Sequence, residues 1–149
     1  MARDYPMNET NKPLFALFQL GNTIHQINKQ TERRNGLSLV QWCVLNRLID
    51  MPAAPAASLA KEVGVHPSTL TQTLRRLVRK KCVYIISDPK DSRKKMITIT
   101  REGRDLFKRS SEQLHLWSHD LNSLTAEFNR IQSCLRARFA EGIDCATSL

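Results

Sequence analysis

Residues that break or staple a chain are scarce in this sequence. Glycine and proline number only five and six among 149 residues, which fits neither a disordered linker nor a fibrous repeat. The four cysteines, at 43, 82, 134 and 145, show no C-x-x-C spacing, and a chain of this length buries a sufficient core without disulfides. No apolar run approaches the roughly 18 to 20 residues that a membrane span requires. The opening MARDYPMNETNK lacks the apolar stretch of a secretory signal, so the expected location is the cytoplasm and no membrane partner is expected. A Gly-rich phosphate loop is also missing. The carboxylates Asp88 and Asp91 stand among lysines on an open turn, so no catalytic residue is assigned and no enzyme is expected. With 41% apolar and 25% charged residues, the expectation is a single globular unit over 1–149.

Positive charge is abundant and concentrated. The chain carries a formal net charge of +9. From Lys61 to Arg109 there are 14 Lys or Arg against 5 Asp or Glu, while the rest carries nine of each sign. All of the excess therefore lies in one third of the chain, the footprint of a polyanion partner.

Apolar residues Leu14, Leu17, Phe18, Ile24 and Ile27 recur at helical spacing up to about Arg34, where Asn35-Gly36 stops the pattern. Ser38 with Gln41 has the form of a capping box opening a second helix through Leu39, Trp42, Leu45 and Leu48. Pro52 and Pro55 make MPAAPAA a loop before a short third helix near Ser58 to Val63. Gly64-Val65-His66-Pro67 is a tight break, with Pro67 suited to the first turn of a fourth helix. In that helix Leu70, Leu74, Leu77 and Val78 form an apolar stripe, opposite Ser68, Thr71, Gln72, Arg75 and Arg79.

From Cys82 to Thr100 the period changes. Val83 to Ser87 and Met96 to Thr100 are β-prone, and the intervening Asp88 to Lys95 reads as a charged hairpin tip. Thr100 can cap a fifth helix to about His119, and a sixth runs from near Thr125 to Gly142. Leu114, Trp117, Leu121, Leu124, Phe128, Ile131 and Leu135 alternate at three and four, a seam that suits either monomer packing or a dimer interface. The fold class is mainly α with a small β-hairpin.

A short helix, a Gly turn and a helix with a polar outer side form the helix-turn-helix plan. Gln pairs with adenine in two places, Arg grips O6 and N7 of guanine, and Ser or Thr bonds to bases or phosphates. Lys90, Arg93, Lys94 and Lys95 on the hairpin are placed to meet phosphates or a narrow minor groove.

From about Leu39 to Leu106 the sequence resembles the winged helix-turn-helix core of MarR-type bacterial transcription regulators. The resemblance rests on Ser58-Leu59-Ala60, the turn into Pro67-Ser68-Thr69-Leu70, and Asp88-Pro89-Lys90-Asp91-Ser92-Arg93 leading to Ile97-Thr98-Ile99-Thr100 with Gly103. It implies a winged helix-turn-helix region over 37–100 and a homodimer joined through helices in 12–34 and 101–149. It also implies a recognition helix carrying Ser68 to Arg79, which adds Thr69 and Arg76 to the DNA-facing set, and a wing in which Asp91 orients Arg93. Lys81, Ile85 and Ser92 depart from the family pattern, where Gly, Arg and Arg are usual; a Cβ at Lys81 costs roughly 1 kcal/mol if that position is left-handed.

The expected function is a dimeric, sequence-specific DNA-binding regulator, a repressor acting on a palindromic operator and relieved by a small apolar or aromatic effector. His25, Trp42 and Arg47 are the candidate lining of an effector pocket, with core packing as the alternative for them. The rival function is a winged-helix module whose basic face meets an acidic protein. His115 and His119 have a metal-compatible spacing without a third ligand, so no metal or other cofactor is expected. Cys43 is expected to be a small core residue.

Overall fold

A computed structural model describes residues 12–88 and 90–143, excluding the side chains of 92, 116–120 and 139–143. Pro89, Cys145 and the end of the expected dimerisation segment lie outside the described residues, as do the side chains of Ser92, Trp117 and His119. Six helices and three strands follow in the order α1 Lys12–Asn35, α2 Leu39–Asp50, β1 Ala53–Pro55, α3 Ala56–Val63, α4 Pro67–Arg79, β2 Val83–Asp88, β3 Asp91–Ile99, α5 Arg101–Asn122 and α6 Thr125–Ile143. The architecture is mainly helical with a small antiparallel sheet, a winged helix-turn-helix. No helix among the described residues is long and apolar enough to cross a membrane.

Local chemistry explains the boundaries. Gly36 takes a φ of 77°, the left-handed turn that ends α1. Both bonds of the capping box then start α2: Gln41 N–H donates to Ser38 Oγ at 3.3 Å and Ser38 N–H to Gln41 Oε1 at 3.4 Å. Leu39 N–H also donates to Asn28 Oδ1 at 2.7 Å, which binds the new helix to α1. Gly64, with φ 73°, ends α3, and Pro67 opens α4 behind His66, whose Nδ1 accepts the Ser68 N–H at 3.2 Å.

The core lies where α2, α3 and α4 meet the sheet. Leu45, Leu48, Leu59, Leu77 and Ile97 are buried there with Leu70, Leu74, Val83 and Ile99. At about 1.5 to 3 kcal/mol for each large apolar side chain removed from water, this cluster sets the position of α4. Its buried stripe is Leu70, Thr73, Leu74 and Leu77. Val78, expected in that stripe, is 42% exposed. Thr73 takes the inward place because its hydroxyl bonds back to Thr69 O at 2.8 Å and so enters the core satisfied.

The sheet corrects two expectations. MPAAPAA is not all loop: Ala53, Ala54 and Pro55 pair with Thr98, Ile97 and Met96, giving the order β1-β3-β2. Nothing in Ala-Ala-Pro marks a strand by itself; the partner β3 supplies the order, and Pro55 is tolerated at the edge. The hairpin tip is also shorter than Asp88 to Lys95, since β3 begins at Asp91. Register jumps from Ser87 opposite Lys95 to Asp88 opposite Asp91, so 92–94 form a bulge on the strand.

After α4 the chain turns through Lys81, whose φ is 57°, the one positive value on a non-glycine among the described residues. Lys81 N–H donates to Val78 O and Cys82 N–H to Leu77 O, both at 2.9 Å, and Thr100 Oγ1 donates to Lys81 O at 2.7 Å. These bonds hold the left-handed residue in place. Lys81→Gly should therefore stabilise the fold by about 1 kcal/mol. The check is a higher urea midpoint at unchanged slope; a lower midpoint would contradict the strain.

Candidate nucleic-acid interface

Burial of one side of α4 leaves the other side free. Ser68, Thr69, Thr71, Gln72, Arg75, Arg76 and Arg79 are all exposed. At 100° per residue Ser68, Gln72 and Arg79 lie along the centre of this face, with Arg75 and Thr71 on one flank and Arg76 and Thr69 on the other. The hydroxyls near the start are engaged locally: Ser68 Oγ is 2.7 Å from His66 Nδ1, and Thr71 Oγ1 donates to Pro67 O at 2.9 Å. Gln72, Arg75 and Arg79 make no side-chain hydrogen bond to other described residues, so their donors are available to an external acceptor.

The wing stands beside this helix. Asp88 Oδ1 accepts the Lys90 N–H at 2.8 Å, which forms the turn. Asp91 Oδ1 accepts the backbone N–H of Arg93 at 3.1 Å, while its Oδ2 lies 4.0 Å from Lys94 Nζ. Asp91 thus fixes the Arg93 backbone and faces the Lys94 ammonium. Lys95 Nζ donates to Ser87 Oγ at 2.9 Å across the pair. Lys90, Arg93, Lys94 and Lys95 are exposed. Ile85, where the resemblance leads one to expect Arg, is 42% exposed and pairs with Ile97.

A second feature lies between α1, α2 and α5. Ile27, Thr31, Leu39, Trp42, Ser111, Leu114, His115 and Leu121 line an open cavity of about 340 Å³. Trp42 Nε1 donates to Ser111 Oγ at 2.9 Å, and its ring stacks on Phe107 with centroids 5.4 Å apart. Of the three candidate lining residues, only Trp42 is there. His25 is exposed on α1, and Arg47 forms an ion pair with Glu62 of α3. Ser111 and Thr31 were not singled out, and His115 was weighed only as a metal ligand, because their roles as lining depend on how α5 crosses α1 and α2.

Among the described residues no group of three His, Cys, Asp or Glu could hold a metal. Cys43 is half-buried and Cys82 buried, and burial pushes both thiols above the ordinary range, partly offset at Cys82 by Lys80. Cys134 is exposed. In a Cys145→Ser chain at pH 8, a thiol reagent should label Cys134 at least about tenfold faster than Cys82, since the thiolate is the nucleophile. Equal rates would contradict the burial.

Residues 35–94 match the model of the MarR family. The chain is 30% identical over 109 residues to the transcriptional activatory protein BadR of Rhodopseudomonas palustris, covering 71% of this chain and 62% of that one. It is 27% identical to the homoprotocatechuate degradative operon repressor of Escherichia coli, covering 66% and 67%. In structure it is similar to the transcriptional regulator MOSR of M. tuberculosis, solved in complex with DNA, at a TM-score of 0.69 and 19% identity over 89% and 96% of the two chains. The chain thus spans about three fifths of BadR. The fold is that of a winged helix-turn-helix protein. Over residues 35–94 the chain is similar to the MarR family, and its named relatives here are transcriptional regulators.

Proposed function

We propose that this chain is a homodimeric, sequence-specific regulator that binds a palindromic operator in double-stranded DNA. The observation that carries the reading is the outer face of α4, where Gln72, Arg75 and Arg79 are exposed and uncommitted beside a cationic wing. A helix seated by its apolar stripe and free on its polar side fits the major groove, and the bulge at 92–94 projects Arg93 and Lys94 toward the flanking backbone.

Dimerisation is supported by the seam. Leu121, Leu124, Phe128 and Ile131 are exposed in the single chain, as are Leu14, Leu17, Phe18 and Ile24 of α1. Contiguous exposed apolar surface of this extent marks an interaction face. Two copies joined there present two recognition helices to one side of a duplex.

The regulator acts in the cytoplasm as a repressor, and a small apolar or aromatic molecule relieves it. The cavity at Trp42 supports the effector: its wall is mostly apolar, with Ser111, Thr31 and His115 as the polar groups that orient a ligand. The repressor assignment follows the name of the Escherichia coli relative.

Selection of bound fragments from random duplex DNA tests the reading. It should return a two-fold site with half-sites about 10 base pairs apart, or a multiple of that spacing. The free protein should sediment at twice its 17.1 kDa chain mass. Failure to enrich any duplex would move the reading to the protein-interaction module.

A further inference from the structure

One lysine of the basic block, beside Arg76 and Arg79, is bonded back to α1 and α2. Lys80 is the residue that ends α4. Its Nζ donates to Gly36 O at 2.6 Å and to Gln41 Oε1 at 2.9 Å, and lies 3.7 Å from Glu32 Oε1. An ammonium has three donors. Here two donors are hydrogen-bonded and the charge is paired with Glu32, and the three partners come from the end of α1, the turn after it and the first turn of α2. Gln41 is 1% exposed and its Oε1 also receives the Ser38 N–H, so this end of the contact is buried and directional.

The apolar stripe of α4 sets how deep the helix sits, but apolar contact is non-directional and leaves roll and axial sliding weakly fixed. Hydrogen bonds weaken steeply with angle and so fix both. The Lys80 contact supplies them at the end of the helix nearest Arg75, Arg76 and Arg79. We propose that Lys80 is a positioning residue for base reading: its three-point contact to the α1–α2 junction sets the rotation and register of α4 and thereby aims Gln72 and Arg75 at the bases. The inference rests on α4 being the DNA-reading helix. Lys80 is assigned no phosphate contact, because two of its donors are bonded to Gly36 and Gln41 and its charge faces Glu32.

The test compares Lys80→Met, Lys80→Arg and Glu32→Gln with the parent chain on a selected duplex and on a scrambled one, over a range of salt. Lys80→Met should weaken the selected duplex about tenfold, the size of one lost base contact. The scrambled duplex should change by less than about twofold and the salt slope should stay the same. Lys80→Arg, which keeps charge and several donors, should recover part of the loss, and Glu32→Gln should lie between Lys80→Met and the parent. Thermal melts of each variant separate aim from folding. An equal loss on both duplexes, with a slope lower by about one, would make Lys80 a phosphate contact and overturn the proposal. So would unchanged selected-duplex affinity in Lys80→Met. If the parent chain itself prefers no duplex, it is the DNA-reading assignment of α4 that fails.

Discussion

Gly103→Ala should destabilise the protein by roughly 3 kcal/mol, the upper end of the range for overpacking. A Cβ at Gly103 would lie 2.2 Å from Cys82 O and 2.9 Å from Cys82 C. Both are backbone atoms, so no side chain can swing aside. The close approach exists because the first turn of α5 is laid on the start of β2. Thr100 Oγ1 accepts the Gly103 N–H at 2.9 Å, and Thr100 N–H donates to Cys82 O at 2.9 Å. Relief of the clash must break this junction or lift α5 from the sheet. A melt of the variant should show Tm lower by about 10 °C for a chain of this size. A drop of under about 2 °C would mean that the junction yields easily.

Gln72→Ala and Arg75→Ala should each cost roughly 1 to 3 kcal/mol on the selected operator and much less on scrambled duplex. Both side chains are exposed on α4, so truncation leaves the core intact and melts should be unchanged. Lys94→Ala should behave differently. Its Nζ is 4.0 Å from Asp91 Oδ2, a surface pair too weak to hold it from phosphate. Its loss should weaken every duplex alike and reduce the salt slope by about one. Arg93→Ala should mix that general loss with a weaker preference for A·T-rich flanks. Four variants with unchanged operator affinity would reject the reading face.

Much of this architecture is written locally in the chain. Ser38 and Gln41 name the start of α2, Pro67 that of α4 and Thr100 that of α5, because each cap is a contact between residues three or fewer apart. The exposed face of α4 follows from its 3.6-residue period. What the sequence conceals depends on distant partners. β1 exists only because β3 lies beside it. Thr73 replaces Val78 in the buried stripe because the helix is rolled by its neighbours. The cavity brings Ile27, Trp42 and Ser111 together from three helices, while Arg47, close to Trp42 in sequence, is drawn to Glu62 instead. The role of Lys80 is likewise invisible in a run of basic residues, since its acceptors lie about forty positions earlier.

The central claim, that the outer face of α4 reads base sequence, is tested most directly by the ratio of affinities for the selected duplex and its scrambled counterpart at one physiological salt concentration. The account predicts a ratio of at least about 10³, with Arg75→Ala lowering it by tenfold or more. A parent ratio near one, with binding that simply fades as salt rises, would contradict it.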